Sequence, residues 1–331
     1  MKILITGVAG FIGHAVASRL SGHGYEIIGI DNLNDYYDVA LKYARLEDLE
    51  KYSDVNFERL DISDRHGMES LFIKHGFNRV IHLAAQAGVR YSIENPHAYA
   101  DSNLVGHLNV LEGCRRHAIE HLVFASSSSV YGMNEQVPFK TTDAVDHPVS
   151  LYAATKKANE LMSHSYSHLY RLPATGLRFF TVYGPWGRPD MAPIKFTRSI
   201  LEGRPIQVFN NGEMFRDFTY IDDIVEGIAN ILNIIPKEGE HSKFPDTSTA
   251  PWALYNIGHG TPVALMDFIH AIEQATGFKA KCDFQPMQPG DVPQTWADTN
   301  AFFEATGYLP KVDVIEGVNN LVNWYRKFYK Y

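Results

Sequence analysis

From its first residue to about position 180, the chain alternates short apolar runs with amphipathic stretches. Lys2–Thr6 (KILIT) is a β-rich run that stops at glycine, and GFIGHAVASRLSGHG follows with Ile12, Val16 and Leu20 at helical spacing. The pattern recurs. EIIGID ends on Asp31, NFERLDI and RVIHLAA read as further buried strands, and HLVFASSSSVYG as the next. After a helix carrying Tyr152 and Lys156 comes one more strand, ATGLRFFTVYG, near residue 177. Strands and helices alternating at this pitch predict right-handed crossovers and an α/β fold with a doubly wound parallel Rossmann sheet.

Past about residue 184 the texture changes to Pro- and Gly-punctuated segments such as GPWGRPDMAP, EGRPIQVFNNGEMFRDF and FQPMQPGDVPQ, the kind of loop that carries ligand contacts. Two regular pieces interrupt them, an amphipathic helix (YIDDIVEGIANILNII) and a short strand (LYNIGHG). The expected division is a nucleotide-binding domain over 1–182, joined by parts of 217–260, and a smaller C-terminal substrate-binding lobe, mainly 183–331.

Composition narrows the ligand. Across 331 residues the formal net charge is -8 and no long basic run occurs, which argues against nucleic acid or an anionic membrane as the main partner. An anionic ligand must then be met by local donors. Two cysteines, Cys114 and Cys282, are too few for a disulfide framework and fit reduced thiols in a cytoplasmic protein. The start, MKILITGVAGFIG, is basic then apolar, but glycines interrupt it, and no run of about 18 apolar residues suggests a membrane span. His82, His147 and His259 do not form a metal-ligand spacing with nearby Cys or carboxylates, so no metal is assigned.

Gly7, Gly10 and Gly13 form G-x-x-G-x-x-G between the first strand and the first helix. Glycines there permit a tight turn and close approach of pyrophosphate to a helix N-terminus, with Phe11 and Ile12 supplying backbone donors. Asp31, with Asn32 beside it, ends the second strand, where a carboxylate accepts from both ribose hydroxyls and repels a 2'-phosphate. NAD is therefore favoured over NADP. Asp61 and Ile62 after the third strand suit the adenine, and Leu83, Ala84, Ala85 and Gln86 after the fourth offer small residues and backbone; each also reads as plain loop. Asn103 and Phe180 complete the expected cofactor set. In SLYAATK, Tyr152 and Lys156 share a helix face. With NAD beside them, Lys156 can bond the nicotinamide ribose, and the positive charges favour tyrosinate, making Tyr152 a base. SSSSVYG supplies a hydroxyl from Ser126 to Ser129 to share the proton.

Six segments in order (DNLNDYYDVALKYARL, SSSSVYG, SLYAATKKANE, RFFTVYGPWGRPDMA, RDFTYIDDIVEG and QPGDVP) make the chain, over essentially its whole length, resemble the nucleotide-sugar epimerase branch of the extended short-chain dehydrogenase/reductases. Within that branch they are most similar to the UDP-glucuronate 4-epimerases. The resemblance implies reversible conversion of UDP-glucuronate to UDP-galacturonate through a 4-keto intermediate. Tyr152 would be the base, Lys156 its partner and Ser127 the proton-sharing hydroxyl, on a tightly bound NAD that is recycled each turnover. It implies that Ser128, Ser129 and Thr181 hold the carboxylate; UDP-galactose epimerases usually have Asn at the position of Thr181. Arg188 and Arg216 would meet the nucleotide and diphosphate, Gln207 and Phe209 the uracil, and Asp291 a nucleotide hydroxyl. Many relatives carry an Arg near PGD where this chain has Gln288, a loss for which Arg90 can compensate. A homodimer is expected of the family. Three alternatives stay open: 4-epimerisation of a neutral UDP-sugar such as UDP-galactose, decarboxylation of UDP-glucuronate, and an NAD-responsive binding protein. No Asp or Glu lies between Ser126 and Gly132, which disfavours decarboxylase and dehydratase chemistry.

Overall fold

The computed structural model describes residues 1–239, 246–288 and 290–331. Residues 240–245, inside the 217–260 segment, and Pro289 of QPGDVP lie outside the described residues. Seven parallel strands form the central sheet: β1 (Lys2–Thr6), β2 (Glu26–Asp31), β3 (Val55–Arg59), β4 (Arg79–His82), β5 (His121–Ser127), β6 (Ala174–Phe179) and the strand Trp252–Ile257. Their order across the sheet is Trp252–Ile257, β6, β5, β4, β1, β2, β3. Ile5 sits opposite Gly29 of β2 and Ile81 of β4, so β1 is central and its last residue opens into the crevice where the strand order reverses.

Because side chains alternate along a strand, each strand feeds two cores. Ile3, Ile5, Val123 and Leu177 pack on one face of the sheet; Leu4, Leu122, Phe124 and Leu254 pack on the other. Covered on both faces, β6 is buried at all of its positions. β3 differs from the buried strand that NFERLDI predicts. It pairs only with β2, and Asn56, Phe57 and Arg59 are exposed, because an edge strand near the end of the α/β layer has little to cover it.

The run ATGLRFFTVYG is two strands, not one. β6 ends at Phe179, and after Phe180 the strand Thr181–Tyr183 leaves the sheet to pair with Phe218–Tyr220. Thr181 N–H donates to Asp217 O at 3.1 Å, which turns its side chain out of the core. The LYNIGHG region does return: Trp252–Ile257 pairs in parallel with β6, and the helix Ile221–Ile231 packs on α1 (Phe11–Leu20) with an Arg19–Glu226 ion pair. The rest of the C-terminal half is small pairings, Pro205–Val208 with Lys281–Phe284 and Phe215–Arg216 with Val263–Ala264, backed by the helices Ala192–Leu201, Leu265–Thr276 and Val314–Tyr329. No helix among the described residues is long and apolar enough to cross a membrane.

Candidate active site

The glycine loop is dictated by contact. Gly7 has φ +76°, and a Cβ there would stand 2.8 Å from Ala84 N; one on Gly10 would stand 2.9 Å from Gly7 O, and one on Gly13 would collide with that same oxygen. The loop therefore lies close against the β4 turn and begins α1 without a side-chain cap, which leaves the first N–H groups of the helix unbonded at the mouth of the crevice. A cleft opens there, lined by Gly7, Gly10, Phe11, Ile12, Gly13, Asp31, Asn32, Ile62, Leu83, Ala84, Ala85, Gln86 and Phe180. Two expected cofactor residues stand behind this lining. Asp61 accepts from Asn32 Nδ2 at 2.8 Å and from Ser63 N at 2.8 Å. Asn103 clamps Gln86, accepting from its N–H at 2.8 Å and donating to its C=O at 3.0 Å, and also donates to Thr155 Oγ1. Both hold the cleft's walls in place.

Ser150 caps the helix Leu151–Tyr170, its Oγ accepting from Ala153 N at 3.1 Å, so Tyr152 stands in the first turn and Lys156 one turn on. Both side chains reach the same cleft. Burial pushes the Tyr152 phenol above its usual value, while the Ser127 hydroxyl and the charge of Arg188 pull the other way. Lys156 is buried, donates from Nζ to Ala125 O at 2.8 Å, and is pushed down by burial to about 8. The serine run is divided in roles that its sequence leaves equivalent. Ser126 turns into the core and donates to Glu160 Oε1 at 2.6 Å; Ser127 faces Tyr152 and donates to Ser129 Oγ at 3.1 Å.

A second cleft, in the C-terminal half, is lined by Arg90, Gln207, Phe209, Arg216 and Asp291, and it shares Ser128, Ser129, Thr181, Tyr36 and Met191 with the first. Arg90 reaches across it to Asp291 at 3.2 Å with its guanidinium 4.8 Å from the Phe209 ring centroid. Arg216 donates to the carbonyls of Phe215 and Pro293 and forms no ion pair among the described residues, leaving a cation for an anionic ligand. Arg188 is not beside it. That side chain lines the first cleft near Tyr152 and is paired with Asp190, its Nε 3.0 Å from Oδ1. Gln288 closes a backbone turn, its C=O accepting from Asp291 N.

Residues 3–258 match the model of the NAD dependent epimerase/dehydratase family. The chain belongs to that family. Family membership carries the cofactor read from Asp31 and the glycines, NAD, and makes the chain an enzyme. The probable UDP-glucuronate 4-epimerase of Rhizobium meliloti is 48% identical over 100% of this chain and 98% of its own. The UDP-glucuronic acid 4-epimerase of Bacillus cereus, solved with UDP-glucuronic acid and NAD, superposes with a TM-score of 0.87 at 32% identity, covering 99% of this chain and 100% of that one. A UDP-glucose 4-epimerase from Thermotoga maritima, solved with UDP-glucose, reaches the same TM-score at 30% identity over 99% and 100% of the two chains. Fold alone therefore does not separate acidic from neutral sugars in this family.

The structure adds residues to the site that spacing did not single out. Lys42 lines the cofactor cleft near Asp31 and donates to Asn34 Oδ1 at 2.8 Å; burial pushes it down while the Asp31 charge pulls it up. Tyr36 stands where the clefts meet and donates to Asp190 Oδ2 at 3.1 Å. Both lie within DNLNDYYDVALKYARL, so the segment was visible, but no local spacing rule selects these two positions.

Proposed function

We propose that this protein is a UDP-sugar 4-epimerase that interconverts UDP-glucuronate and UDP-galacturonate, with Tyr152 as the base. The observation that carries the choice of sugar is the group of hydroxyls from Ser128, Ser129 and Thr181 at the junction of the two clefts, where a hexose on a diphosphate held in the second cleft meets the first. Three neutral donors at that point suit a carboxylate. Arg188, in the same cleft, is paired with Asp190.

The residues that fit NAD are the glycine loop, Asp31 and the Leu83–Gln86 turn. When bound there, NAD supplies hydride exchange at the sugar carbon and, oxidised, a positive charge beside the phenol. Tyr152 Oη takes the proton of the sugar 4-hydroxyl, and Ser127 Oγ, the hydroxyl that favours the ionised phenol, shares it. The same oxygens return the proton when the 4-ketone is reduced on its other face. Lys156, mostly protonated at neutral pH, keeps a cation in the cleft that Tyr152 lines. Arg216 anchors the diphosphate while the sugar turns. Ser128, Ser129 and Thr181 hold the carboxylate out of alignment with the ketone π system, which suppresses loss of carbon dioxide without bringing in net charge.

The test is incubation of purified protein with UDP-glucuronate followed by proton NMR of the products. UDP-galacturonate at equilibrium with the starting sugar is expected. UDP-xylose or a stable 4-keto sugar as the main product would overturn the reading.

A further inference from the structure

The helix that carries Tyr152 and Lys156 also carries Glu160, one turn further along the same face. Its carboxylate is buried and multiply engaged. Arg178 on β6 approaches with Nε at 2.8 Å and Nη2 at 2.9 Å, and Ser126 at the end of β5 donates at 2.6 Å. Arg178, itself fully buried, lies 4.9 Å from the ring centroid of Tyr131, whose phenol donates to Asn256 of the neighbouring strand at 2.6 Å. Two adjacent strands and the helix of the candidate base thus meet at one carboxylate, and a third strand is linked to it through Tyr131 and Arg178. Stability is a weak reason for such a pair, since well-packed apolar side chains of similar volume are often as stable as a buried ion pair.

The surroundings of Lys156 give a better one. His82 from β4 and His107 from the helix His107–Arg116, their ring centroids 5.1 Å apart, feel its charge, and burial keeps both rings neutral, His107 pushed down to about 3. The His82 tautomer follows from its partner: Thr6 Oγ1 accepts from the N–H groups of Leu83 and Ala84, so its proton goes to His82 Nδ1. Tyr152 shares the helix face, Lys157 lies 3.8 Å from Glu160, and Arg178 stands beyond it. Glu160 lies one turn from Lys156 on that face, and the Ser126 that donates to it follows Ala125, whose C=O accepts from Lys156 Nζ at 2.8 Å, so the Glu160 charge stands where it opposes the effect of burial on Lys156.

We propose that Glu160, held in place by Arg178 and Ser126, is a positioning residue that keeps Lys156 a cation in the cofactor cleft and ties the helix of Tyr152 to the serine strand. The proposal rests on the roles given above to Tyr152 and Lys156, so its first readout is independent of turnover. The pH at which the Lys156 Nζ signal titrates is followed by NMR in lysine-labelled protein, assigned with Lys156→Arg, for the parent, Glu160→Gln and the double variant Glu160→Gln/Arg178→Met. The double variant buries no unpaired charge, so it tests the idea even where the single variant unfolds. In Glu160→Gln the titration and the alkaline limb of kcat/KM are expected at least about one pH unit lower, with kcat down about tenfold near pH 8.5 and KM within about threefold of the parent; in the double variant, which also loses the Arg178 charge, both are expected lower by a smaller amount. A folded double variant with a parental Lys156 titration and a parental limb would overturn the proposal. Failure of both variants to fold would also overturn it, because the pair would then be a stability element. A shifted titration without epimerase activity in the parent would leave the positioning role standing and remove the reaction assigned to the site.

Discussion

The two halves of the site are ordered by different means. In the nucleotide half, strand ladders do the positioning: Gly7, Asp31, Ile62, Leu83 and Ser127 each sit at or just beyond the C-terminal end of a parallel strand, so the lattice of the sheet sets their spacing. In the C-terminal half, single buried side chains tie irregular segments together. Asp217 accepts from the N–H groups of His259, Gly260 and Ala297 at 2.8, 3.0 and 3.0 Å, and Asp223 accepts from Lys311 and Val312 and from the Tyr308 phenol. A ladder spreads its order over many bonds. A tie concentrates it in one residue, so the lobe can vary its loops and ligand while the half beneath keeps the chemistry.

The comparison breaks most visibly at its ends. Tyr152→Phe removes one oxygen from a capped helix and should leave melting unchanged while turnover falls by about 10³-fold or more, roughly 4 kcal/mol in barrier. Activity within tenfold of the parent would put the base elsewhere. Asp217→Ala attacks the other kind of order. Three buried N–H donors lose their acceptor at about 1 to 3 kcal/mol each, so a loss of about 4 kcal/mol by urea denaturation is expected. UDP binding should be lost before NAD binding, and parallel loss of both would mean that the halves are not separately ordered.

Thr181→Ala tests the seam between them. A hydrogen bond to a charged group is worth about 1.5 to 3 kcal/mol, so kcat/KM for UDP-glucuronate should drop roughly 10- to 150-fold while any activity on UDP-galactose holds or rises. An unchanged ratio of the two sugars would remove Thr181 from recognition of the acid. A smaller effect separates ladder from tie by pH. His121 on β5 is pushed down to about 4 by burial, against the pull of Leu232 O. Its folded pKa lies below the unfolded value, so it has no effect above about pH 6.5 and costs stability as pH falls from there toward 4, about 2 kcal/mol by pH 5. His121→Gln should flatten the stability profile between pH 6.5 and 5 by about that amount, and an unaltered slope would contradict it. The smallest effect belongs to the contact across the second cleft. The Arg90–Asp291 pair is partly exposed, with Arg90 at 48% side-chain exposure, so Arg90→Ala should cost less than about 1 kcal/mol in melting experiments. Its larger signature should be a raised KM for the nucleotide sugar, and an unchanged KM would mean that Arg90 does not meet the substrate.

Much of the first cleft was legible because its rules are local. The turns at Gly7, Gly10 and Gly13 and the Tyr152–Lys156 spacing are set within a few residues, and the structure brings them to one cleft. The turn of Thr181 away from the sheet was not legible. FFTVYG reads as a continuous strand, and the partner that captures Thr181–Tyr183 lies in Phe218–Tyr220. Nor could the exposure of Asn56 and Phe57 be read from NFERLDI, since edge or centre is a property of strand order. The place of Arg188 was not legible either: expected at the nucleotide and diphosphate, it lines the first cleft beside Asp190, and Tyr36, 154 residues from Asp190, completes that group.

By itself the sequence determined what short-range physics can decide: where strands and helices alternate, where only glycine is tolerated, which carboxylate ends the second strand, and which phenol and ammonium share a helix face. Tertiary structure alone decided what depends on distant neighbours. It turned Ser126 to Glu160 and Ser127 to Tyr152, although both are serines of one run, because adjacent residues of a strand point to opposite faces and only the fold says what each face meets.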